Sequence, residues 1–310
     1  MDRSAVKKPE IDAIGSLPAV AGKSSQDLKG GEPSRHLKKP YLTIRPSRGR
    51  IPLDLLELWH YRDLLVVLAS RDLKLRYKQT ALGIIWVILQ PLMAAGVFSF
   101  VFGAVAKLPS GGIPYLVFSF AGLLGWNLFS SILTKISGCL TGNSQLISKV
   151  FFPRLILPLS NLGSCLVDFA VAAVMMAILL LVFRIAPSLS LLLFPIWMLI
   201  LTAISLGIGL IAAALSVPYR DIQYILPVFT QILLYASPVA YSITAVPERV
   251  RWVYSLNPLS APLEAMRASL LGTAFPSIQS LLISAVVAGF TFSAGVHCFK
   301  RMERQFADVI

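Results

Sequence analysis

Few side chains in this 310-residue chain stand where they could do chemistry. Gly22-Lys23-Ser24 is the only piece like a phosphate-binding loop. It fails the G-x-x-x-x-G-K-S/T pattern, because Leu17 stands where the first Gly must be and no apolar strand precedes it. The three histidines, His36, His60 and His297, are isolated, and no H-E-x-x-H pair exists, so a metal hydrolase has no ligands to use. Cys139, Cys165 and Cys298 are odd in number and far apart, which fits neither a disulfide framework nor zinc or redox spacing. Asp168 is the only acid well inside a long apolar run, and such a residue is a functional candidate by default. A proton-coupled transporter would use it. No second intramembrane acid or base accompanies it in the sequence, so the expected partner is structural, a backbone or polar group on a neighbouring helix. The absence from the sequence of a cluster of acids or histidines at any expected membrane surface counts against a membrane-embedded transferase.

The elements that hold these residues are apolar. Hydrophobic residues make up 56% of the chain and charged residues only 14%, the balance of a membrane protein. The formal net charge of +13 does not point to nucleic acid, because the basic residues lie at the ends and in short breaks between long uncharged runs, where they meet lipid headgroups.

Residues 1–50 carry eleven Lys/Arg against five Asp/Glu, with no apolar periodicity, and are expected to form a flexible basic tail that is not a secretory signal. Over residues 51–80, Leu55, Leu58, Tyr61, Leu65, Leu68 and Leu75 recur at helical spacing among charges that forbid a span. This predicts an amphipathic helix in the membrane interface, broken near Ser70. Six runs are then long and apolar enough to cross a bilayer: residues 81–106 with Pro91 inside, 114–134, 155–183, 189–217, 222–241 and 278–299. Residues 81–304 thus form a six-span domain, followed by a short stretch over 305–310. The fold class expected is all-α integral membrane. The segment 242–277 is too long for a turn and contains a semi-apolar piece over 257–271, which predicts a re-entrant or interfacial element before the last span.

Six spans put both termini on one side. The N-terminal region, residues 135–154, the Arg220 turn and residues 300–310 hold twenty-three Lys/Arg, and the other set of segments holds five, so both termini are expected in the cytoplasm.

Four pieces in order carry a resemblance. Arg71-Asp72-Leu73-Lys74-Leu75-Arg76-Tyr77-Lys78-Gln79-Thr80, running into Leu82-Gly83, Trp86 and Gln90-Pro91-Leu92, is the first. Lys149-Val150-Phe151-Phe152-Pro153-Arg154 with Pro158, then Tyr219-Arg220-Asp221-Ile222, then Asn257-Pro258-Leu259 follow at matching places. From Leu53 to Arg304 the chain resembles the permease subunits of ABC-2 type exporters, in the polysaccharide branch that serves O-antigen, capsule and teichoic acid. The tail stands outside the resemblance.

The resemblance implies a homodimeric permease of the bacterial inner membrane that exports a lipid-linked glycan. It implies no cofactor in this chain, since ATP and Mg²⁺ belong to a separate nucleotide-binding subunit. Force from that subunit must enter through cytoplasmic knobs. In residues 149–154, Lys149, Phe151 and Phe152 offer contacts, Pro153 fixes chain direction and Arg154 is a charged rim contact. Arg220 and Asp221 either pair locally or contact the partner. On the interfacial gate helix, with Asp72 and Tyr77, the cations Arg71, Arg76 and Lys78 meet either the substrate pyrophosphate or anionic phospholipid. A glycan route needs aromatic faces and exchangeable polar groups. Trp86, Gln90 and Phe98 in the first span and Gln231 with Tyr235 in the fifth are the lining candidates, with interfacial anchoring or helix-to-helix bonding as the alternative. An exporter of drugs or small molecules is the rival within the superfamily. A secondary transporter would show inverted repeats and paired ionisable groups, which the sequence does not.

Overall fold

The computed structural model describes residues 55–78, 85–186, 188–303 and 306; the expected tail over residues 1–50 and most of 305–310 lie outside them. The described residues are helical and contain no strand. In chain order the helices are α1 (Leu55–His60), α2 (Arg62–Lys78), α3 (Ile85–Phe98), α4 (Tyr115–Ser137), α5 (Ser144–Lys149), α6 (Ile156–Val182), α7 (Phe194–Ser216), α8 (Ile222–Ala236), α9 (Glu248–Leu256), α10 (Ser260–Leu271) and α11 (Ile278–Met302). A π-helical turn, Ser99–Val105, prolongs α3, and a 3₁₀ turn, Leu189–Leu193, leads into α7.

Five of these elements are long and apolar enough to cross a membrane: Ile88–Val105, Tyr115–Ser137, Ile156–Val182, Leu189–Ser216 and Ile278–Met302. The element expected over residues 222–241 is shorter than foreseen. Its helix, α8, ends at Ala236 after 15 residues, which at 1.5 Å per residue falls short of a hydrocarbon core about 30 Å thick. The cause is Ser237-Pro238. The residue before a proline is pushed out of the helical region, and Ser237 is extended at φ −116 and ψ 149. The chain from Ser237 to Ala240 continues as buried, irregular backbone.

Apolar burial cannot drive helices together inside lipid, so close packing and small residues must do it. The centre is α4, whose Phe120, Phe129, Ile132, Leu133 and Ile136 are fully buried and which packs on α3, α6, α7 and α10. Helix α7 lies between α4 and α11. Where α7 crosses α11, Gly207 faces the Thr291 carbonyl and Gly295 faces the Gly207 carbonyl so closely that any Cβ would strike backbone.

The amphipathic element differs from the sequence expectation in two ways. The break falls at Tyr61, between α1 and α2, and not near Ser70, whose hydroxyl donates to the Val67 carbonyl at 2.9 Å and stays within the helix. Leu58, Tyr61, Leu65 and Leu68 do turn to the body, with α2 lying along α6, but Leu75, Val66 and Val67 are exposed. Apolar residues therefore occupy both sides of α2, one against protein and one open.

Candidate functional site

The connection between α4 and α6 carries exposed residues on a short helix held to the body. Helix α5 has its inward side at Ile147, while Lys149, Val150 and Phe151 are exposed, Phe151 by 63%. The next residues turn inward. Phe152 is 2% exposed, Pro153 is buried, and Arg154 is 9% exposed with its guanidinium over the Phe152 ring. The Arg154 backbone N–H donates to the Glu303 carboxylate at 3.1 Å, and its Nη1 donates to the Val150 carbonyl at 3.3 Å. Burial lowers the Arg154 pKa, and Glu303 partly opposes that shift. The expected rim role of Arg154 is thus corrected: it is an internal tie between the knob and the end of α11, because the glutamate that holds it arrives from the far end of the chain.

Two side-chain bonds join this connection to other helices. Arg71 of α2 donates to the Asn143 Oδ1 at 2.8 Å while also pairing with Asp72 at 3.1 Å. Gln223 in the first turn of α8 donates to the Thr141 Oγ1 at 2.6 Å. Arg220 and Asp221, just before Gln223, are exposed, and among the described residues they do not form the local pair that was one of two sequence readings. Arg71 is committed to protein partners; the side chains of Arg76, Tyr77 and Lys78 lie outside what the structure describes.

The lining candidates divide. On α3, Trp86 and Gln90 share an open face with Met93, Val97 and Phe100. Phe98 does not belong to it. It packs on the core and meets Phe102 edge-on at 5.7 Å, because twelve residues from Trp86 bring it a third of a turn off that face. On α8, Gln231 and Tyr235 are open, beside exposed Tyr224, Val228 and Ile232. The two faces belong to helices that pack elsewhere, α3 on α4 and α6, α8 on α4 and α7.

Asp168 has a cationic partner that its surroundings in sequence do not suggest. Lys135, near the end of α4, donates to its Oδ2 at 3.0 Å and to Ser164 Oγ at 3.1 Å. The structural partner expected on a neighbouring helix is thus a lysine of α4. A cleft of about 150 Å³ beside the pair is lined by Gln90, Asn127, Ser131 and Asp168 along with apolar side chains of α3, α4 and α6.

A second buried polar centre lies at the opposite end of α4. Helix α10 is buried along its whole length within the protein. Its Arg267, 1% exposed, donates through Nη1 to the carbonyls of Pro238, Val239 and Tyr241 at 3.1, 3.4 and 3.2 Å, and its guanidinium lies 4.3 Å from the Phe118 ring centroid. Glu264 sits 3.6 Å from Arg267 and accepts from the Ile243 N–H and the Ser242 hydroxyl. Asn257 donates to the Ala236 carbonyl and the Ser237 hydroxyl, and accepts from the Leu259 N–H. Together these groups satisfy the irregular backbone that follows α8, the condition for such backbone at membrane depth. Sequence reading picked out Asn257-Pro258-Leu259 but passed over Glu264 and Arg267. Their i, i+3 spacing inside an apolar piece was the available signal.

A family model described as ABC-2 type transporter matches residues 63–271, from α2 through α10. The chain is 30% identical over 256 residues to the O-antigen export system permease protein RfbA of Klebsiella pneumoniae, covering 80% of this chain and 95% of that protein. It is 28% identical over 256 residues to the protein of the same description from Myxococcus xanthus, covering 82% and 98%. It is 26% identical over 242 residues to the polysialic acid transport protein KpsM of Escherichia coli, covering 75% and 91%.

Proposed function

The chain belongs to the ABC-2 type transporter family, and from that premise we propose that it is the membrane permease of an ATP-driven exporter of lipid-linked polysaccharide, of O-antigen, capsule or teichoic acid type. The observation that carries this reading is the near full-length likeness to permeases described by O-antigen export. A polysialic acid transport protein among the relatives points to the same substrate class, and the names do not favour a drug exporter.

In this reading the chain resides in the bacterial inner membrane with both termini in the cytoplasm, as its Lys/Arg distribution supports, and the sixth crossing is completed by α8 together with the buried chain after it, which run from Thr141 beyond one end of α4 to Tyr115 at the other. Two copies assemble with ATP-binding subunits that hold ATP and Mg²⁺. The partner docks on the exposed Lys149, Val150 and Phe151, with Arg220 and Asp221 at the rim. Phe152, Pro153 and Arg154 anchor the knob so that a push on Phe151 moves α6 and α11 instead of a loose loop. The open faces of α3 and α8, with Trp86, Gln90, Gln231 and Tyr235, supply rings and amides that can stack on and exchange hydrogen bonds with sugars. Arg76 and Lys78 remain the candidates to meet the lipid pyrophosphate as charge-assisted donors.

The test is ATP hydrolysis by the candidate ATP-binding subunit in lipid, measured alone, with this chain, and with undecaprenyl-diphosphate-linked O-antigen polysaccharide added. Hydrolysis that depends on this chain and responds to the glycan is the expected result. No association and no glycan response would overturn it.

A further inference from the structure

The knob between α4 and α6 is followed covalently by α6, but it also touches two helices to which no neighbouring peptide bond connects it. The turn at residues 138–143 is fixed to the end of α4: Cys139 and Leu140 are buried, Thr141 donates its hydroxyl to the Gly138 carbonyl at 3.2 Å, and Asn143 donates its amide to the Cys139 carbonyl at 3.0 Å. These bonds orient both side chains. With its Nδ2 so used, Asn143 turns Oδ1 outward, where Arg71 of α2 donates to it. With its proton so used, the Thr141 oxygen turns a lone pair outward, where Gln223 of α8 donates to it. One short turn thus holds two different helices, each through a single hydrogen bond, immediately before α5 and the exposed Phe151.

We propose that Thr141 and Asn143 form a double latch by which displacement of the docking knob is passed to α8 through Gln223 and to α2 through Arg71. The proposal rests on the export reading above and adds the residues that transmit its force. The helices so reached are the ones with a stake in transport. Gln223 lies two turns before Gln231 on α8, whose open face carries the lining candidates, and α2 is the element at the entry side. The buried ties of Phe152 and Arg154 lead instead to α6 and α11. Partner docking and ATP turnover therefore survive loss of the latch, whereas movement of α8 and α2 lags behind. A hydrogen bond of this kind is modest in strength, so the latch biases coupling and does not create it.

The test uses the full chain with its ATP-binding subunit in proteoliposomes, with ATP hydrolysis and export of undecaprenyl-diphosphate-linked O-antigen polysaccharide measured in the same vesicles. Thr141→Val and Gln223→Leu are each expected to lower glycan exported per ATP by roughly two- to ten-fold while the partner still copurifies and hydrolyses ATP. Thr141→Ser, which keeps the hydroxyl, restores the ratio. The double variant Thr141→Val/Gln223→Leu is no worse than Thr141→Val alone, because that substitution already removes the bond to Gln223. Arg71→Ala lowers the ratio independently and adds to the effect. A general folding defect would reduce hydrolysis, copurification and export together and would not be repaired by serine alone. An unchanged ratio in Thr141→Val and Gln223→Leu, or additive losses in the double variant, overturns the latch while leaving the export reading intact. A wild-type complex without partner-dependent hydrolysis overturns the export reading, and the latch with it.

Discussion

Replacing Phe151 by alanine is the sharpest way to probe the docking knob, because its neighbour Phe152 is chemically the same side chain in the opposite environment. Phe151 is 63% exposed and Phe152 is 2% exposed. A phenylalanine side chain carries about 200 Å² of surface, so roughly 125 Å² of Phe151 is open for a partner to cover. At about 25 cal/mol per Å² that cover is worth about 3 kcal/mol, of which alanine forfeits about 2 kcal/mol, or roughly thirty-fold in affinity. The assay is the dissociation constant of the ATP-binding subunit for the chain in lipid nanodiscs, by biolayer interferometry. Thermal unfolding is followed on the same samples. Phe151→Ala is expected to weaken binding by about thirty-fold with thermal stability unchanged. Phe152→Ala is expected to do the reverse, since it empties a buried site under the Arg154 guanidinium. Binding by Phe151→Ala within about two-fold of wild type, less than 0.5 kcal/mol, would refute the assignment of this residue as the anchor.

Other expectations follow from the buried centres. Arg267→Met leaves three carbonyls without their donor and Glu264 without its counter-charge, and should cost about 3–5 kcal/mol of stability, read as a lowered melting temperature in nanodiscs. Arg267→Lys should recover little of it, because the lysine nitrogen ends about where Cζ stands, short of the Nη1 position that meets the carbonyls, and has no plane to lie over Phe118. Gly122→Ala and Gly207→Leu each drive a side chain into backbone, at the Val239 carbonyl and at the Thr291–Phe292 peptide, and should reduce the folded yield. Asp168→Leu alone strands the Lys135 charge, whereas the pair Lys135→Met/Asp168→Leu should regain most of the lost stability. Burial pushes the Cys139 thiol pKa up, so this residue should resist a polar maleimide at pH 8 in the folded protein and react once it is unfolded, as mass spectrometry of labelled peptides would show.

Charge-free runs made the long helices legible, and the span limits agree closely for α4, α6, α7 and α11 because lipid leaves the backbone no alternative to helix. What escaped were contacts between residues distant in the chain. Lys135 reads as a loop cation until its reach along α4 brings it to Asp168. Arg154 reads as a surface charge until Glu303 and the Phe152 ring enclose it. Arg267 looks like an outside-loop cation, yet it holds the carbonyls that Pro238 frees by ending α8. Phe98 lies twelve residues beyond Trp86, and at about 3.6 residues per turn that separation leaves it about a third of a turn off the Trp86 face. The motif order was legible where the roles within the motif were not, as the split between Phe151 and Phe152 shows.

An exporter of lipid-linked glycan that runs on ATP hydrolysed by a separate subunit must fail when either subunit or ATP is missing. The most direct test is export of undecaprenyl-diphosphate-linked O-antigen polysaccharide across proteoliposomes containing this chain, with and without the ATP-binding subunit, under ATP or under an imposed proton gradient. Export is expected only with both subunits and ATP, and none driven by the gradient. Export by this chain alone under the gradient, or failure of the two subunits with ATP to move the glycan, would contradict it.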